Sequence, residues 1–475
     1  MFSFSKSSEA APGVARWWWL SCAYGAVLVV VTGYFLVGIP IQLTDSYGNM
    51  LALVDSSVWA TIIDQLYTRA YLRPLLWGQL QAVYDLSGGN YFAWFRLWHV
   101  GQLALLVWLF LRLVRPRNAA DAAAVPVGLA ALIGIHTFAG TVREAFPINT
   151  FMTILICCFA AADLALAEPR WWRTLLAPLL FAFAALTVES GLLVMVIFVT
   201  AFAVGARGVS WRGIAAVVAL TGGYFYLRFV YLQVGAPDLV ERSSGFGFAT
   251  LSPADLTERF GASPIGFYAY NVMSSIGSVL MAEPRAGVFV AMRDLFDSEL
   301  RRGTIVNVLA STLGTLFIAG FAWQRRREWL ARLFSRQDQL VILFAVVTVA
   351  NAVLSYAYTK DVIMSPAGAF FAVALAVALA PRLAQPPGAL ALVMIVVLSS
   401  AWAVRLIGAE VGLRIAAINT RNEWAYADHW FETESTPPTE PAAIRLKEQL
   451  QGDAISRHPM PPMLVGDWLE WFEEE

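Results

Sequence analysis

Long apolar runs, separated by short polar stretches, make up most of the chain. A helix that crosses a bilayer needs roughly 20 mostly apolar residues, and many of the runs reach that length. The run at 174–205 is too long for one helix and is split by Glu189, so it predicts a pair of helices that cross out and back. The other predicted membrane helices cover about 17–39, 91–113, 122–141, 148–167, 213–235, 303–323, 340–358, 362–380 and 388–407. The pattern therefore predicts about 11 spans.

Composition points to the same class of protein. The 475 residues are 58% hydrophobic and 14% charged, with a mean hydropathy of +0.61. A soluble domain could not cover that much apolar surface, so the sequence predicts an all-α polytopic membrane protein. The three cysteines lie inside apolar runs and have neither disulfide nor metal-ligand spacing. We expect no metal, no cofactor and no nucleic-acid partner.

The distribution of arginine orients the helices. Lys and Arg in short loops favour the cytoplasmic side, and the most basic stretch is "QRRREWLARLFSR" at 324–336. Together with Lys6 and Arg16 ahead of the first helix, it predicts a cytoplasmic N-terminus, an outer loop at 40–90 and an extracytoplasmic C-terminus. Arg outnumbers Lys heavily and Ala is abundant, which suggests a GC-rich bacterial genome and hence the bacterial inner membrane.

One apolar segment does not fit this orientation as a span. If 264–281 crossed the bilayer, the Arg-rich stretch at 324–336 would lie outside, so we predict a membrane-dipping segment there. The domain organisation is then a transmembrane domain at 1–407, which includes the outer loop at 40–90, and a short extracytoplasmic tail at 408–475.

Ionisable residues gather at the predicted outer ends of the helices. Such groups are costly in a membrane, so each is a functional candidate. Asp45 follows the first helix in "GIPIQLTDSYGN", and Glu189 lies in "ALTVESGLLV" with no cation close to it in sequence; these two acids are the candidate catalytic residues. The pattern predicts a binding or reaction chamber that opens to the outer side. Its other candidates are Arg73, His99, His136, Arg143, Glu144, Arg228, Lys360 and Asp361.

Several of these residues also have a purely structural interpretation. His99 could be a helix-packing histidine, the Arg143–Glu144 pair could be a surface ion pair, and Lys360–Asp361 could be a polar turn. The neighbouring Arg96 reads as a residue that snorkels to the interface. Asp55 and Asp64 fall on the polar face of an amphipathic pattern and are expected to face water.

The order of these features resembles that of the GT-C-type membrane glycosyltransferases, above all their protein O-mannosyltransferase and tetratricopeptide-mannosyltransferase branches. The stretch "AYLRPLLWGQLQAVYDLSGGNYFAWFRLWHVGQL" resembles the family's Arg-Pro juxtamembrane helix followed by a helix with an outer His. "GIHTFAGTVREAFPINTF", "FAFAALTVESGLLV" and "YAYTKDVIMSPAGAFF" are similar to later hairpins of the family. The resemblance covers roughly residues 18–380 and rests on serial order.

The resemblance implies transfer of a sugar from a polyprenyl-phosphate donor to a glycan, lipid or protein acceptor at the outer face, with inversion. Asp45 takes the place of the acid that acts as general base. The family often has two acids there and this chain has one, so Asp55 remains an alternative base. The leaving phosphate needs cations, for which Arg143, Arg228 and Lys360 are candidates, with Arg73 as a further one.

Three other classes stay open on the sequence. A lipid-linked glycan ligase or polymerase would usually carry its long outer loop late in the chain, whereas here the long loop is early. A secondary transporter would show inverted repeats and broken helices near the bilayer midplane, and no repeat is visible. A non-catalytic relative is the third, because only one acid follows the first helix.

Overall fold

The computed structural model describes residues 12–43, 45–67, 72–138, 150–232, 253–261, 263, 265–281, 288–297, 302–356, 361–386, 388–433 and 439–457. All regular structure in these residues is helical. The first part of the chain forms α1 (Pro12–Leu36), α2 (Asp45–Leu51), α3 (Val58–Tyr67), α4 (Pro74–Ser87), α5 (Tyr91–Val114), α6 (Ala119–Gly134), α7 (Thr150–Ala165), α8 (Trp171–Ala185), a 3-10 turn (Glu189–Leu192), α9 (Leu193–Ala203) and α10 (Trp211–Phe225), which continues as a π-helix (Tyr226–Tyr231).

The second part begins and ends with shorter helices and has the four long helices α14 to α17 between them. The elements are α11 (Pro253–Phe260), α12 (Ile265–Met281), α13 (Val288–Phe296), α14 (Arg302–Leu330), α15 (Arg336–Leu354), a second 3-10 turn (Asp361–Met364), α16 (Ser365–Leu383), α17 (Ala389–Ala425), α18 (Ala427–Thr433) and α19 (Pro441–Arg457).

Seven of the described helices are long and apolar enough to cross a membrane. They are α1, α5, α10 with its π-helical end, α14, α15, α16 and α17. Four shorter apolar helices, α6 to α9, occupy the places of the other predicted spans. The prediction of an all-helical, multi-pass membrane protein is therefore confirmed, while the full number of spans stays a prediction.

Helix α16 forms the centre of the bundle. Its membrane stretch is 94% buried within the protein, the highest share among the candidate spans. The sequence "SPAGAFFAVALAVALAPRL" explains this position, because alternating small residues let neighbouring helices approach closely. Gly128 of α6 lies against Ala376, and a Cβ at Gly368 would clash with Thr137. Helix α6 therefore packs tightly along α16, which it contacts more extensively than any other element does.

Helix α17 is much longer than its predicted span of 388–407. It runs through 37 residues to Ala425, about 55 Å at 1.5 Å per residue, whereas the hydrocarbon core is roughly 30 Å thick. Its far end projects from the bundle and carries α18 and α19. The residues after 407 thus start as a continuation of a membrane helix.

The end of α17 packs with the first loop segment in a second hydrophobic core, which we call the tail cluster. Trp424 donates a hydrogen bond from Nε1 to the Ile41 carbonyl at 2.5 Å. The loop segment and the C-terminal helices therefore lie on the same side of the bundle. The buried members of the tail cluster are Ile41, Leu43, Tyr47, Met50, Leu53, Leu80, Val83, Phe95, Trp424, Ala427, Phe431, Leu446, Leu450 and Ala454.

The segment predicted to dip into the membrane is α12, which is not among the seven candidate spans. One face of the helix is small and polar and packs on α14 and α15. Asn271 donates to the Tyr356 carbonyl at 3.0 Å, and Thr315 donates to the Leu280 carbonyl at 2.8 Å. These bonds fix α12 to the bundle, and its depth in a membrane stays a prediction.

Candidate functional site

Three of the predicted site residues meet in one group, which we call the Arg–Glu–Arg cluster: Arg73, Glu189 and Arg228. Arg73 contacts Glu189 Oε2 through Nε at 2.9 Å and Nη2 at 2.5 Å. Arg228 Nη1 lies 3.3 Å from Glu189 Oε1 and donates to the Tyr224 hydroxyl at 3.0 Å. The sequence around Glu189 contains no cation, and the fold supplies two from distant segments.

Local sequence explains how each element presents its charged group. Glu189 opens the 3-10 turn between α8 and α9, and this turn requires Gly191, because an added Cβ would lie 2.2 Å from the backbone of Ala184. Arg73 is the residue before Pro74, which starts α4 in the position where proline is preferred. Arg228 lies in the π-helix Tyr226–Tyr231, a rare distortion that is frequent at functional sites.

Helix α4 is held by polar contacts against the chain segment that joins α8 to the 3-10 turn. The Leu75 amide donates to the Leu186 carbonyl at 3.1 Å, and Gln79 Nε2 donates to Thr187 Oγ1 at 3.2 Å. The start of α4 is therefore fixed next to the turn that carries Glu189. The second half of α4 contributes Leu80 and Val83 to the tail cluster, so this one helix joins the two regions.

The charges of the Arg–Glu–Arg cluster do not cancel. The three side chains of the cluster, two guanidinium groups and one carboxylate, sum to +1. Arg228 is only 6% exposed, and its Nε has no hydrogen-bond partner among the described residues. The side chains of Arg73 and Glu189 are 28% and 26% exposed, so the cluster is open on one side. Such an arrangement can bind an anion, for which arginine offers charge-assisted hydrogen bonds.

Glu189, predicted as catalytic, accepts both hydrogen bonds from Arg73 through Oε2, and its Oε1 lies 3.3 Å from Arg228 Nη1. The carboxylate thus lies between two guanidinium groups. The geometry instead gives Glu189 a positioning role, in which it holds the two arginines close to each other.

Asp45 is the first residue of α2, and its side chain lies outside the described part of the structure. The next residues are well buried: Tyr47 packs edge-on against Trp424 and Phe431, each with ring centroids 5.7 Å apart. Burial also raises the pKa of Tyr47 to about 12. The backbone at Asp45 is therefore anchored by the tail cluster.

A second carboxylate lies near this loop, and the sequence analysis did not single it out. Glu423 of α17 accepts a hydrogen bond from the backbone of Leu43, two residues before Asp45. Its Oε2 is buried and has no hydrogen-bond partner in the described part of the structure. Nothing in the sequence could signal this proximity, because Glu423 lies in what the hydropathy pattern predicts to be a separate tail.

His99 lies in the interior of the helix bundle, 1% exposed, and its Nδ1 is 3.0 Å from Arg96 Nη1. Arginine can only donate, so Nδ1 must accept and the ring is neutral with its proton on Nε2. The prediction that Arg96 snorkels to the interface is wrong. Arg96 is also 1% exposed, because it donates to the carbonyls of Ile39 and Pro40 at 2.6 Å each and thereby holds the end of α1.

His136 lines a different cavity, of about 460 Å³, between α6, α14 and α17. The cavity also contains Arg302 and Arg405, and none of its lining residues belongs to the Arg–Glu–Arg cluster. Arg405 is a buried cation that the sequence analysis did not select. The structure thus assigns His136 and Glu189 to separate groups.

The structure does not describe the side chains of the other predicted site residues. Arg143, Glu144 and Lys360 lie outside the described residues, and so does the side chain of Asp361, whose backbone opens the second 3-10 turn. Asp55 and Asp64 are exposed, as expected for a polar face. Within the described ranges, no group of three or more His, Cys, Asp or Glu side chains could hold a metal ion.

Comparison with known proteins returns no relative of this chain: no protein-family model, no curated protein and no solved structure matches it.

Proposed function

We propose that the protein is a membrane glycosyltransferase that moves a sugar from a polyprenyl-phosphate donor to an acceptor at the extracytoplasmic face, with inversion. The observation that supports it most strongly is the convergence of two arginines, Arg73 and Arg228, on the single carboxylate of Glu189, with a buried Nε on Arg228 that has no hydrogen-bond partner in the described part of the structure. A phosphate group matches this site in charge and in hydrogen-bonding capacity. The apolar helices around the site suit the lipid tail of such a donor.

In this proposal, Asp45 takes the proton from the acceptor hydroxyl while its oxygen attacks the anomeric carbon. The bond between that carbon and the phosphate oxygen breaks, and its electron pair leaves with the polyprenyl phosphate. The guanidinium groups of Arg73 and Arg228 stabilise the developing charge on the phosphate. Arg143, Glu144, Lys360 and Asp361 remain proposed contributors to the substrate site, whereas His99 is buried beside Arg96 and His136 lines the separate cavity.

The proposal includes an arrangement in the membrane. About 11 helices cross a bacterial inner membrane, counting the four shorter apolar helices α6 to α9, with the N-terminus cytoplasmic and the C-terminus extracytoplasmic. The loop at 40–90 and the C-terminal helices then lie together on the side where the acceptor arrives, in accord with their shared packing in the tail cluster.

The test is sugar transfer from radiolabelled polyprenyl-phosphate sugars in membranes that contain equal amounts of each variant. We expect Asp45→Asn to lower the turnover rate by about 10²–10⁴-fold while donor binding is retained. Arg228→Gln should instead weaken donor binding by about tenfold or more, because it removes charge-assisted hydrogen bonds to phosphate. Arg143→Ala and Lys360→Ala should weaken donor use in the same way.

The matched control is Arg212→Gln, which removes an exposed arginine at the other end of α10 and should behave as the parent does. Full activity of Asp45→Asn would remove the assignment of the base. A parent protein that transfers no sugar from any such donor would overturn the proposed function and favour a non-catalytic relative.

A further inference from the structure

The cavity between α6, α14 and α17 has a buried cation on its wall. Arg405 is 5% exposed and lines the cavity. Its Nε donates to the Gly134 carbonyl at 3.2 Å, and its Nη1 donates to the Asn307 carbonyl at 3.2 Å and to Ser311 Oγ at 2.8 Å. The guanidinium group also lies 4.3 Å from the ring centre of Trp402.

All of these partners are neutral. Arg405 forms no ion pair with any carboxylate in the described part of the chain, and its Nη2 is buried without a hydrogen-bond partner. An uncompensated buried charge is costly. Four contacts hold the guanidinium group in place at the cavity wall, and its charge is not matched by any carboxylate in the described part of the chain.

The rest of the cavity adds positive charge and space. Arg302 begins α14 and lines the cavity, and none of the described residues that line it is acidic. Gly303 and Gly408 also line it, and a Cβ added at either would meet no atom within 4 Å. A slender apolar chain can therefore lie beside Gly408 while its charged group reaches Arg405.

The cavity borders the lipid-facing surface at a depth that suits a head group. On α17 the neighbouring Val404, Ile407 and Val411 are all more than half exposed. Arg405 lies about 24 Å along α17 from Ala389, at 1.5 Å per residue, which is close to the far boundary of a hydrocarbon core that is roughly 30 Å thick. Arg302, the first residue of α14, lies at the same end of the bundle.

We propose that this cavity binds an anionic glycerophospholipid of the surrounding bilayer, with its phosphate on Arg405 and Arg302 and one acyl chain beside Gly408. The positive charge of the two arginines favours a phosphate group. The exposed apolar side chains beside the cavity favour a lipid as the molecule that carries this phosphate. The site is separate from the Arg–Glu–Arg cluster and does not depend on sugar transfer.

The experiment measures lipid binding to the purified, delipidated full-length protein by native mass spectrometry. Three lipids are compared: phosphatidylglycerol, diacylglycerol with the same acyl chains, and a polyprenyl phosphate. We expect the parent to prefer phosphatidylglycerol over diacylglycerol by about tenfold or more, the size of one charge-assisted hydrogen bond. Arg405→Gln should abolish this preference, and Arg302→Gln should reduce it.

Two further variants keep the test decisive. Gly408→Leu fills the cavity while leaving Arg405 intact, so it should also weaken phosphatidylglycerol binding by about tenfold, the loss expected when an acyl chain is excluded from an apolar cavity. It serves as the test if Arg405→Gln does not fold. Arg414→Gln, an exposed position on the same helix, should bind as the parent does.

The proposal would be overturned by equal binding of phosphatidylglycerol and diacylglycerol to the parent, or by unchanged binding in a folded Arg405→Gln protein. Preference for the polyprenyl phosphate would overturn the choice of a bilayer glycerophospholipid. Displacement of phosphatidylglycerol by inorganic phosphate alone would show a free-anion site and would overturn the lipid assignment.

Discussion

Three buried arginines show how strongly the surroundings of a residue decide its role. Arg96 donates to two loop carbonyls and contacts His99, Arg228 is paired with Glu189, and Arg405 contacts only neutral groups among the described residues. The first is structural, the second belongs to the Arg–Glu–Arg cluster, and the third lines a separate cavity. The same residue type thus serves three purposes, which the contacts distinguish and the sequence does not.

At the residue scale, we predict that Arg96→Gln destabilises the protein, because a single amide cannot reach both the Ile39 and Pro40 carbonyls. Each carbonyl left without a partner should cost about 1–3 kcal/mol, measured as the free energy of unfolding in mild detergent. Arg96→Lys should lose less stability, since it keeps the charge but not the forked geometry. Arg117→Gln, at an exposed position, is the control, and a loss of similar size there would refute the assignment.

At the scale of elements, the candidate site depends on short irregular pieces between regular helices. The 3-10 turn Glu189–Leu192 turns the chain sharply between α8 and α9, and the π-helix at the end of α10 carries Arg228. The start of α4 lies beside this turn, because the Leu75 amide donates a hydrogen bond to the Leu186 carbonyl. The long helices therefore form the scaffold, whereas the charged side chains are positioned by the irregular segments at the ends of these helices.

Gly191→Ala tests this dependence on the 3-10 turn. The new Cβ would overlap the backbone at Ala184, so α8 and the turn must separate, at a cost of about 1–3 kcal/mol for overpacking. Thermal unfolding should show the loss, and binding of the polyprenyl-phosphate donor should weaken as Glu189 moves.

Gly222→Ala on α10 provides the matched control for Gly191→Ala. A Cβ there meets no atom within 4 Å, and alanine stabilises a helix interior by about 0.5–1 kcal/mol relative to glycine. Gly222→Ala should therefore unfold at or above the temperature of the parent, and a Gly191→Ala protein that did the same would show that a tight turn does not position Glu189.

At the scale of the whole molecule, the two ends of the described chain are joined. The loop after α1 and the helices after α17 share the tail cluster, although Trp424 and Ile41 are 383 residues apart. The first loop and the C-terminal helices must consequently occupy the same side of a membrane. The Arg-rich end of α14 is predicted to lie on the opposite side.

Cysteine labelling in intact cells tests this arrangement. In a variant whose three native cysteines are replaced by alanine, Gly48→Cys and His429→Cys should react with a membrane-impermeant thiol reagent, because both positions are exposed. Arg326→Cys should react only after the cells are lysed. Labelling of position 326 in intact cells would reverse the orientation, and labelling of only one of positions 48 and 429 would contradict the tail cluster.

The sequence by itself determined the class of the protein and the rough position of its helices. Hydropathy is a local property, so long apolar runs identified α1, α5 and α14 to α17. Asp55 and Asp64 are exposed as expected, but only Asp64 lies on α3, since Asp55 lies in the turn before it. The sequence also identified Arg73, Glu189 and Arg228 as site candidates, though it could not show that they meet.

Tertiary structure alone decided which charged groups face each other. Arg73 and Glu189 are 116 residues apart in sequence, and their pairing depends on how α4 docks on the turn after α8, which no local pattern encodes. The burial of Arg96, the extension of α17 into the tail cluster and the isolation of Arg405 follow from packing in the same way. The energy of a buried charge depends on the partners that the fold brings to it, and those partners come from distant parts of the chain.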